Sequence, residues 1–381
     1  MNGPSLTWNI SAIRSVRNNG DIVATTHRIV IAGGGLAGHR IAYALQHEAP
    51  MAEVTLVDPK DFFEVPMAVP RMLVEPARAK DAVIPYRDFL PQVTLVRGLL
   101  RAVQPGFAET SEGTLPFDFL VLATGACYAD PLIKAHAGTA EERRHHFAAW
   151  AERIRQAKHI VIAGGGPVGV EIAAEILEDL PGKRVTLFHR GAQLLPAITP
   201  RPQRYALAHL TQRGADVRLG QSPDDHALQN AEVLIWCAGY RSDTSWLRQY
   251  RGPTPGPVLD ANGAVLVDAH LRLAGSDNIF AVGDITALPE PKLGIYAGKH
   301  AAVVIENLRR LIRAEPGAAL PLKQYSPATG SRTMLVTLGR RYGTGHLPFV
   351  DFTNSWFARQ VKSRDMFIGR YRKAVGLPAS A

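Results

Sequence analysis

At 381 residues the chain is longer than one ordinary core and divides into two or three domains. Its 46% hydrophobic and 20% charged residues are ordinary for a globular protein and exclude large-scale disorder, and no apolar run reaches the length of a transmembrane helix. The formal charge of +9 favours anionic partners (nucleotide phosphates, acidic lipid surfaces or nucleic acid), or is simply a basic surface.

Residues 1–26 contain Arg14 and Arg17, few acids and no apolar signal-peptide core, and read as a flexible lead-in, with a weak transit peptide as the alternative. Asn2 stands where myristoylation needs glycine. The ordered chain opens with strand-like "HRIVIAG", then Gly33, Gly35 and Gly38, a helix over Ala37–Gln46 and a second strand, "AEVTLVD": a βαβ unit. Proline-rich Phe62–Pro91 breaks regular pattern, and "VTLVRGLLRAVQP" and "FDFLVLATGA" read as buried or half-buried strands. After a charged helical stretch, about 135–157, the βαβ pattern restarts with "HIVIAGGG", a helix through Leu180 and "KRVTLFHR". A helix over Pro202–Arg213, a strand over Asp216–Leu219 and apolar "AEVLIWCAGY" follow. "RGPTPGPVLDANG" is loop, "NIFAVGDI" a strand ending in a glycine turn, and Gly294–Ala314 a long helix. Beyond "EPGAALPL" lies a short basic and aromatic tail.

The two glycine turns carry the first chemistry. In GxGxxG the first glycine permits the tight turn, the second lets a pyrophosphate approach the backbone, and the third lets helix pack on strand. The phosphate then sits at the positive end of the helix dipole. Each copy here follows a strand and opens a helix, the context that gives the motif meaning. The first cradle is Gly33, Gly35, Leu36, Ala37 and Gly38; the second is Gly164, Gly166, Val168 and Gly169, with Gly239 after the later strand. A ribose-binding group is expected at the end of each second strand. In the first copy it is Asp58, whose carboxylate suits an adenosine with a free 2′-hydroxyl, as in FAD or NAD. In the second the residues are His189 and Arg190, which admit NADPH as well as NADH; Arg190 as a solvated strand-end charge is the alternative. Gly283 and Asp284 close "NIFAVGDI", and the helix from Gly294 points its N-terminus at the same crevice. An acid there can bond the ribityl chain, and a helix N-terminus stabilises charge on a reduced flavin ring.

These motifs resemble the glutathione-reductase-like flavoproteins with two dinucleotide-binding domains; "LPFDFLVLATGA" and "NIFAVGDI" look like the other two fingerprints of that superfamily. "GVEIAAEI", "VTLFH", "PKLGIYAGKHA" and "KSRDMF" are similar to its apoptosis-inducing-factor-like branch, which includes the ferroptosis suppressor proteins, and to type II NADH dehydrogenases. The resemblance implies an α/β fold of two Rossmann-like domains, the NAD(P)H domain (135–254) inserted into the FAD domain (27–134 and 255–315), plus a small α+β C-terminal domain (316–381). It implies a hydride moving from NAD(P)H to FAD and electrons passing to a quinone or another small acceptor. It further places Glu171 beside the nicotinamide; Arg71, Leu100 (through its backbone), Ala123, Thr124, Gly125, Lys292 and Leu293 around FAD; and Lys362 and Phe367 in a segment folded over the flavin that shapes the acceptor pocket.

Read from the residues, the helix starts at the third glycine, so Glu171, two residues past Gly169, lies in its first turn and Glu175 four later on the same face; an acid there also suits the dipole, and Glu175 is assigned that bland role. The tail Phe352–Lys373 mixes Trp356, Phe357, Phe367 and Tyr371 with six Arg and Lys, which suits an anionic membrane interface over nucleic acid; plain packing is the alternative. Cys127 and Cys237 form no CxxC or CxxxxC pair, so a dithiol centre, a disulfide framework and sulfide:quinone chemistry are disfavoured. Both are read as packing residues, and a reducing, cytoplasmic location follows, with peripheral contact on the inner face of a membrane as the variant. No metal motif or G-x-S-x-G elbow appears. The leading expectation is an FAD-dependent NAD(P)H:quinone oxidoreductase, monomeric or homodimeric. Its rivals are a ferredoxin- or rubredoxin-type reductase and an NAD(P)H-sensing flavoprotein that acts through partners.

Overall fold

The computed structural model describes residues 26–315, 320–330, 332–353 and 355–379, so the lead-in with Arg14 and Arg17 lies outside the described residues. The chain forms two compact units. One draws on the described residues up to Pro59, Leu90–Gly125 and Ser242–Pro327; the other draws on Lys60–Phe89, Ala126–Arg241 and the described residues from Ala328 onward.

The first unit is built on a five-stranded sheet in the order Ile279–Ala281, Phe119–Leu122, His27–Ala32, Ala52–Val57, Thr94–Val96. All its pairings are parallel. Parallel strands are covered on both faces, which is why "FLVL" is apolar throughout and wholly buried. Val30, Leu120, Leu122, Ile279 and Ala281 share a core with Val103, Phe117 and Trp246. The stretch read as "VTLVRGLLRAVQP" divides into Thr94–Val96, an exposed sheet edge, and Leu100–Gln104, which opens a separate antiparallel sheet. The Gly38–Glu48 and Gly294–Arg313 helices pack on each other.

The second unit repeats the plan with four parallel strands: Asp216–Leu219, Arg184–His189, His159–Ala163, Val233–Trp236. In each unit the strand that leads into a glycine turn has a neighbour on both sides, so the turn opens at a topological switch point, where α/β sheets bind ligands. The charged stretch becomes the Ala140–Gln156 helix, started by a capping box of Thr139 and Glu142. Proline-rich 62–91 resolves into short strands and single helical turns. The C-terminal part is a three-stranded antiparallel sheet (Met334–Leu338, Tyr342–Leu347, Val350–Phe352) followed by the Ser355–Ala358 helix, a π-helical turn at Arg359–Ser363 and the Ile368–Ala374 helix. Among the described residues no helix is long and apolar enough to cross a membrane.

Candidate active site

In the first cradle the outer glycines are sterically required. A Cβ on Gly33 (φ +99°) would stand 2.4 Å from the Ala123 carbonyl oxygen, and one on Gly38 would stand 1.8 Å from the Gly33 oxygen. Gly35, between them, has nothing within 4 Å of that position. The crowding is at the turn and the helix contact, and the open space is where a pyrophosphate would approach. Asp58 is 3% exposed, and its Oδ2 accepts the Gly34 amide at 2.6 Å. Sequence reasoning found Asp58 but not this amide. Leu36 is half-buried and Ala37 buried beside it. The Ala123 amide donates to Ala32 at 2.7 Å, which ties the "ATG" turn to the cradle strand, and Gly125 adopts φ +66°. Thr124 Oγ1 is buried with no hydrogen-bond partner in the chain, an orphan of the kind a bound group satisfies. Leu100 begins its strand at a bulge and packs on the core. An open cradle, a buried carboxylate and an orphan hydroxyl in one unit fit an adenine dinucleotide.

The Gly283–Ile285 turn in the same unit is held by residues that sequence reasoning missed. Gly283 (φ +76°) donates its amide to His300 Nδ1 at 2.9 Å. His300 Nε2 bonds Glu290 Oε1 at 2.7 Å, and Tyr325 donates its hydroxyl to Glu290 Oε2 at 2.7 Å. Because Nδ1 accepts and burial lowers the ring's pKa, the ring is neutral with its proton on Nε2, facing Glu290. The relay fixes the turn that carries Asp284. Lys292 donates to the carbonyls of Thr286 (2.6 Å) and Leu288 (3.4 Å), and burial lowers its pKa. Its ammonium thus ties the loop before Leu293, the N-cap of the Gly294–Arg313 helix.

The second cradle has the same stereochemistry. A Cβ on Gly164 would meet the Ala238 nitrogen at 2.9 Å, one on Gly169 the Gly164 oxygen at 1.9 Å, and one on Gly166 nothing within 4 Å. Val168 is half-buried, and Gly239 is open at φ +74°. His189 Nδ1 accepts the Gly165 amide at 3.2 Å, the same 24-residue offset as the Asp58–Gly34 contact. Burial lowers the His189 pKa, so a neutral imidazole stands where the first cradle has a carboxylate. Arg190 is exposed.

The helix after this turn is Pro167–Asp179, with proline at its first position. Glu171 therefore lies in the second turn, not the first, and dipole stabilisation explains neither acid. Both are buried, at 4% and 0% exposure, and each holds a cation. Lys362 Nζ donates to Glu171 Oε1 at 2.6 Å and to the Leu335 carbonyl at 3.2 Å. The same Oε1 accepts the Thr337 amide at 2.8 Å and its hydroxyl at 3.1 Å. Two candidates 191 residues apart thus form one buried ion pair, with Thr337 as its unforeseen third member. The bland role given to Glu175 is corrected: it takes a forked ion pair from Arg71, at 2.5 and 2.8 Å. Arg71 is 1% exposed, and its Nη2 also donates to the Ser363 carbonyl at 3.0 Å.

"KSRDMF" is neither a plain surface helix nor a plain loop. Its lysine and serine close the π-turn, and Met366 (φ +51°) and Phe367 (φ +66°) are consecutive left-handed residues. Asp365 holds this conformation by accepting the Phe367 amide at 3.0 Å and the Gly369 amide at 2.9 Å. Phe367 is half-buried, with the Arg370 guanidinium 5.8 Å from its ring centre.

Both cysteines are free. Cys237 is buried, which raises its thiol pKa, but Cys127 is exposed on a two-residue edge strand, so the packing role expected of it fails. Among the described residues no group of three or more His, Cys, Asp or Glu could hold a metal ion.

Two switch-point cradles of one stereochemistry suit two dinucleotides, and comparison with known proteins agrees: a family model described as pyridine nucleotide-disulphide oxidoreductase matches residues 27–303. The chain belongs to the pyridine nucleotide-disulphide oxidoreductase family. Ferroptosis suppressor protein 1 of Xenopus tropicalis is 32% identical over 374 residues, which cover 92% of this chain and 96% of that protein. Apoptosis-inducing factor homolog B of Dictyostelium discoideum is 26% identical over 390 residues, covering 92% and 97%. Among solved structures, NDH2 of Plasmodium falciparum in complex with NADH shares the fold, with a TM-score of 0.68 at 15% identity and coverage of 90% and 96%. As a pyridine nucleotide-disulphide oxidoreductase the chain is an NAD(P)H-dependent flavin enzyme, with FAD and a nicotinamide dinucleotide as cofactors. The disulphide of the family's name has no counterpart in its two separate cysteines.

Proposed function

We propose that this oxidoreductase passes electrons from NAD(P)H through FAD to a quinone. The first cradle, with Asp58, Thr124 and the Gly283–Asp284 turn, would hold FAD; the second, with His189, would hold the nicotinamide dinucleotide. Bound FAD supplies the redox chemistry, taking two electrons from the nicotinamide and releasing them to the acceptor. The observation that carries the acceptor assignment is the buried Lys362–Glu171 pair. Reducing a quinone to a quinol consumes two protons; the hydride given up by NAD(P)H carries one, and Lys362 Nζ, held in a buried site by Glu171 Oε1 and the Leu335 carbonyl, would give the other and be reprotonated from solvent. Thr337 donates twice to the same carboxylate oxygen and so fixes Glu171 independently of the lysine.

The C-terminal surface supports a lipid-borne acceptor. Residues 328–381 carry nine Lys and Arg against two Asp, which is +7 of the chain's +9. Phe349 is 99% and Trp356 68% exposed in that segment, and Arg341, Arg359, Arg364, Arg370 and Lys373 are exposed with them. Exposed aromatics among cations suit an anionic lipid interface.

The test is anaerobic. Purified protein should show a flavin spectrum that bleaches with NADH or NADPH and recovers when a short-chain ubiquinone is added. Flavin that bleaches but ignores quinone would overturn the acceptor assignment, and failure to take up FAD would overturn the first cradle's. Binding to vesicles with anionic lipid but not to zwitterionic ones, weakened at least tenfold in F349S/W356S, is the expected membrane result; equal binding to both would refute it.

A further inference from the structure

The Pro167–Asp179 helix carries two carboxylates one turn apart, and both reach the same short C-terminal segment. Glu171 meets Lys362 directly. Glu175 meets it through Arg71, whose Nη2 bonds Glu175 Oε1 at 2.8 Å and the carbonyl of Ser363, the next residue after Lys362, at 3.0 Å. From this we infer that Arg71 and Glu175 are positioning residues for Lys362. The inference rests on the acceptor role given to Lys362 above, and it removes Arg71 from the residues expected around FAD.

Lys362 needs such a device. It sits in a π-turn, a rare irregularity in helical backbone; the turn's closing bond, from the Arg364 amide to the Arg359 carbonyl, is 3.3 Å, and the Lys362 carbonyl accepts the Met366 amide at 2.7 Å. The chain then enters two consecutive left-handed residues that are not glycine, a strained path that persists only where its surroundings over-determine it. A flexible four-carbon side chain on such a backbone does not hold its ammonium at one point by itself. The Ser363 carbonyl is the handle. A guanidinium is a planar fork of fixed geometry; with Nε and Nη2 both set against one carboxylate, the direction of the second Nη2 hydrogen is set as well, and the carbonyl meets it there. Ser363 is tied a second time through its hydroxyl, which donates to the Tyr342 carbonyl at 3.2 Å. The fork is fully buried, so water neither competes for these bonds nor replaces them.

The test compares flavin-loaded wild type, R71K, R71M/E175M, K362M and the triple variant R71M/E175M/K362M. The double variant removes both buried charges together, which apolar residues of similar volume tolerate, so it should fold. R71K keeps an ion pair with Glu175 but loses the fork. Per bound flavin, reoxidation by short-chain ubiquinone should fall at least tenfold in K362M, in R71M/E175M and in R71K, while R71K, which keeps one ion pair with Glu175, stays folded with its flavin bound. The triple variant should be no slower than K362M, because one device is lost only once. Independently of any acceptor, trypsin should cut after Lys362 and Arg364 at least tenfold faster in R71M/E175M.

Wild-type reoxidation in the folded R71M/E175M protein would overturn the inference, as would a triple variant slower than K362M by the full product of the separate effects. Loss of FAD from R71M/E175M with unchanged resistance to trypsin would also overturn it, returning Arg71 to the flavin. If K362M itself reoxidises normally, the acceptor role fails, and faster trypsin cutting in R71M/E175M would still show the positioning.

Discussion

Lys362→Met is the most informative single change. The ammonium and the Glu171 carboxylate are 7% and 5% exposed and 2.6 Å apart. At an effective dielectric of about 20 their attraction is on the order of 6 kcal/mol, and removing one member of a buried pair typically costs about 3–5 kcal/mol, because the other is left uncompensated. Thr337 supplies Glu171 with two remaining donors, so the lower end applies and K362M should lose about 3 kcal/mol at neutral pH. Glu171→Met should lose a similar amount by stranding the ammonium. The double variant strands neither charge and should lie near wild type, a coupling of about 6 kcal/mol in the cycle. Urea unfolding, followed by flavin release and by circular dichroism, measures all four corners. Losses that add to within about 0.5 kcal/mol would refute the pairing.

Three further outcomes are expected. Asp58→Ala removes the buried acceptor of the Gly34 amide, a charge-assisted bond worth about 1.5–3 kcal/mol, so FAD affinity should fall at least tenfold; fluorescence titration of the apoprotein would show an unchanged affinity if the assignment is wrong. Gly169→Ala drives a Cβ to 1.9 Å from the Gly164 oxygen, and it should abolish nicotinamide-dependent bleaching while the protein keeps its flavin; bleaching within twofold of wild type would contradict the second cradle's role. Burial lowers the His39 pKa to about 4, so the folded ring is neutral while the unfolded ring takes a proton below its ordinary value of 6.5. The stability this supports is whole above about pH 6.5 and drains away toward pH 4, by about 3 kcal/mol in all. His39→Gln should flatten that slope, and an unchanged slope in calorimetry across the same window would count against it.

What could be read from the sequence was local. Each glycine turn declares itself within six residues, because the constraint that selects glycine acts over one turn. The strands beside them declare themselves by continuous apolar runs, because parallel sheets are covered on both faces. Asp58 was legible for the same reason, as a carboxylate at a fixed distance after its turn. The partnerships were not. Arg71 and Glu175 are 104 residues apart, and nothing in "VPRML" or "GVEIAAEI" says that one serves the other. The His300–Glu290–Tyr325 relay hides in a segment whose polar residues look like ordinary surface. Glu171's turn was misjudged because the third glycine was taken as the helix start, although proline at 167 is the better boundary signal. Cys127 was misjudged because a short apolar context was read as burial, when it sits on an edge strand of two residues.

The 191 residues between Glu171 and Lys362 also set a timetable. Domains begin to fold as the chain is made, at about 5–20 residues per second, so Glu171's helix waits roughly 10–40 s for its lysine. Throughout that interval the newborn second unit holds an acid with no cation to accompany it, and the helix cannot be sealed from water without stranding the charge. The nascent protein therefore leaves this flank hydrated, or keeps the carboxyl protonated, until the lysine arrives. A unit assembled in this order does not close its buried ion pair until its C-terminal segment has been made.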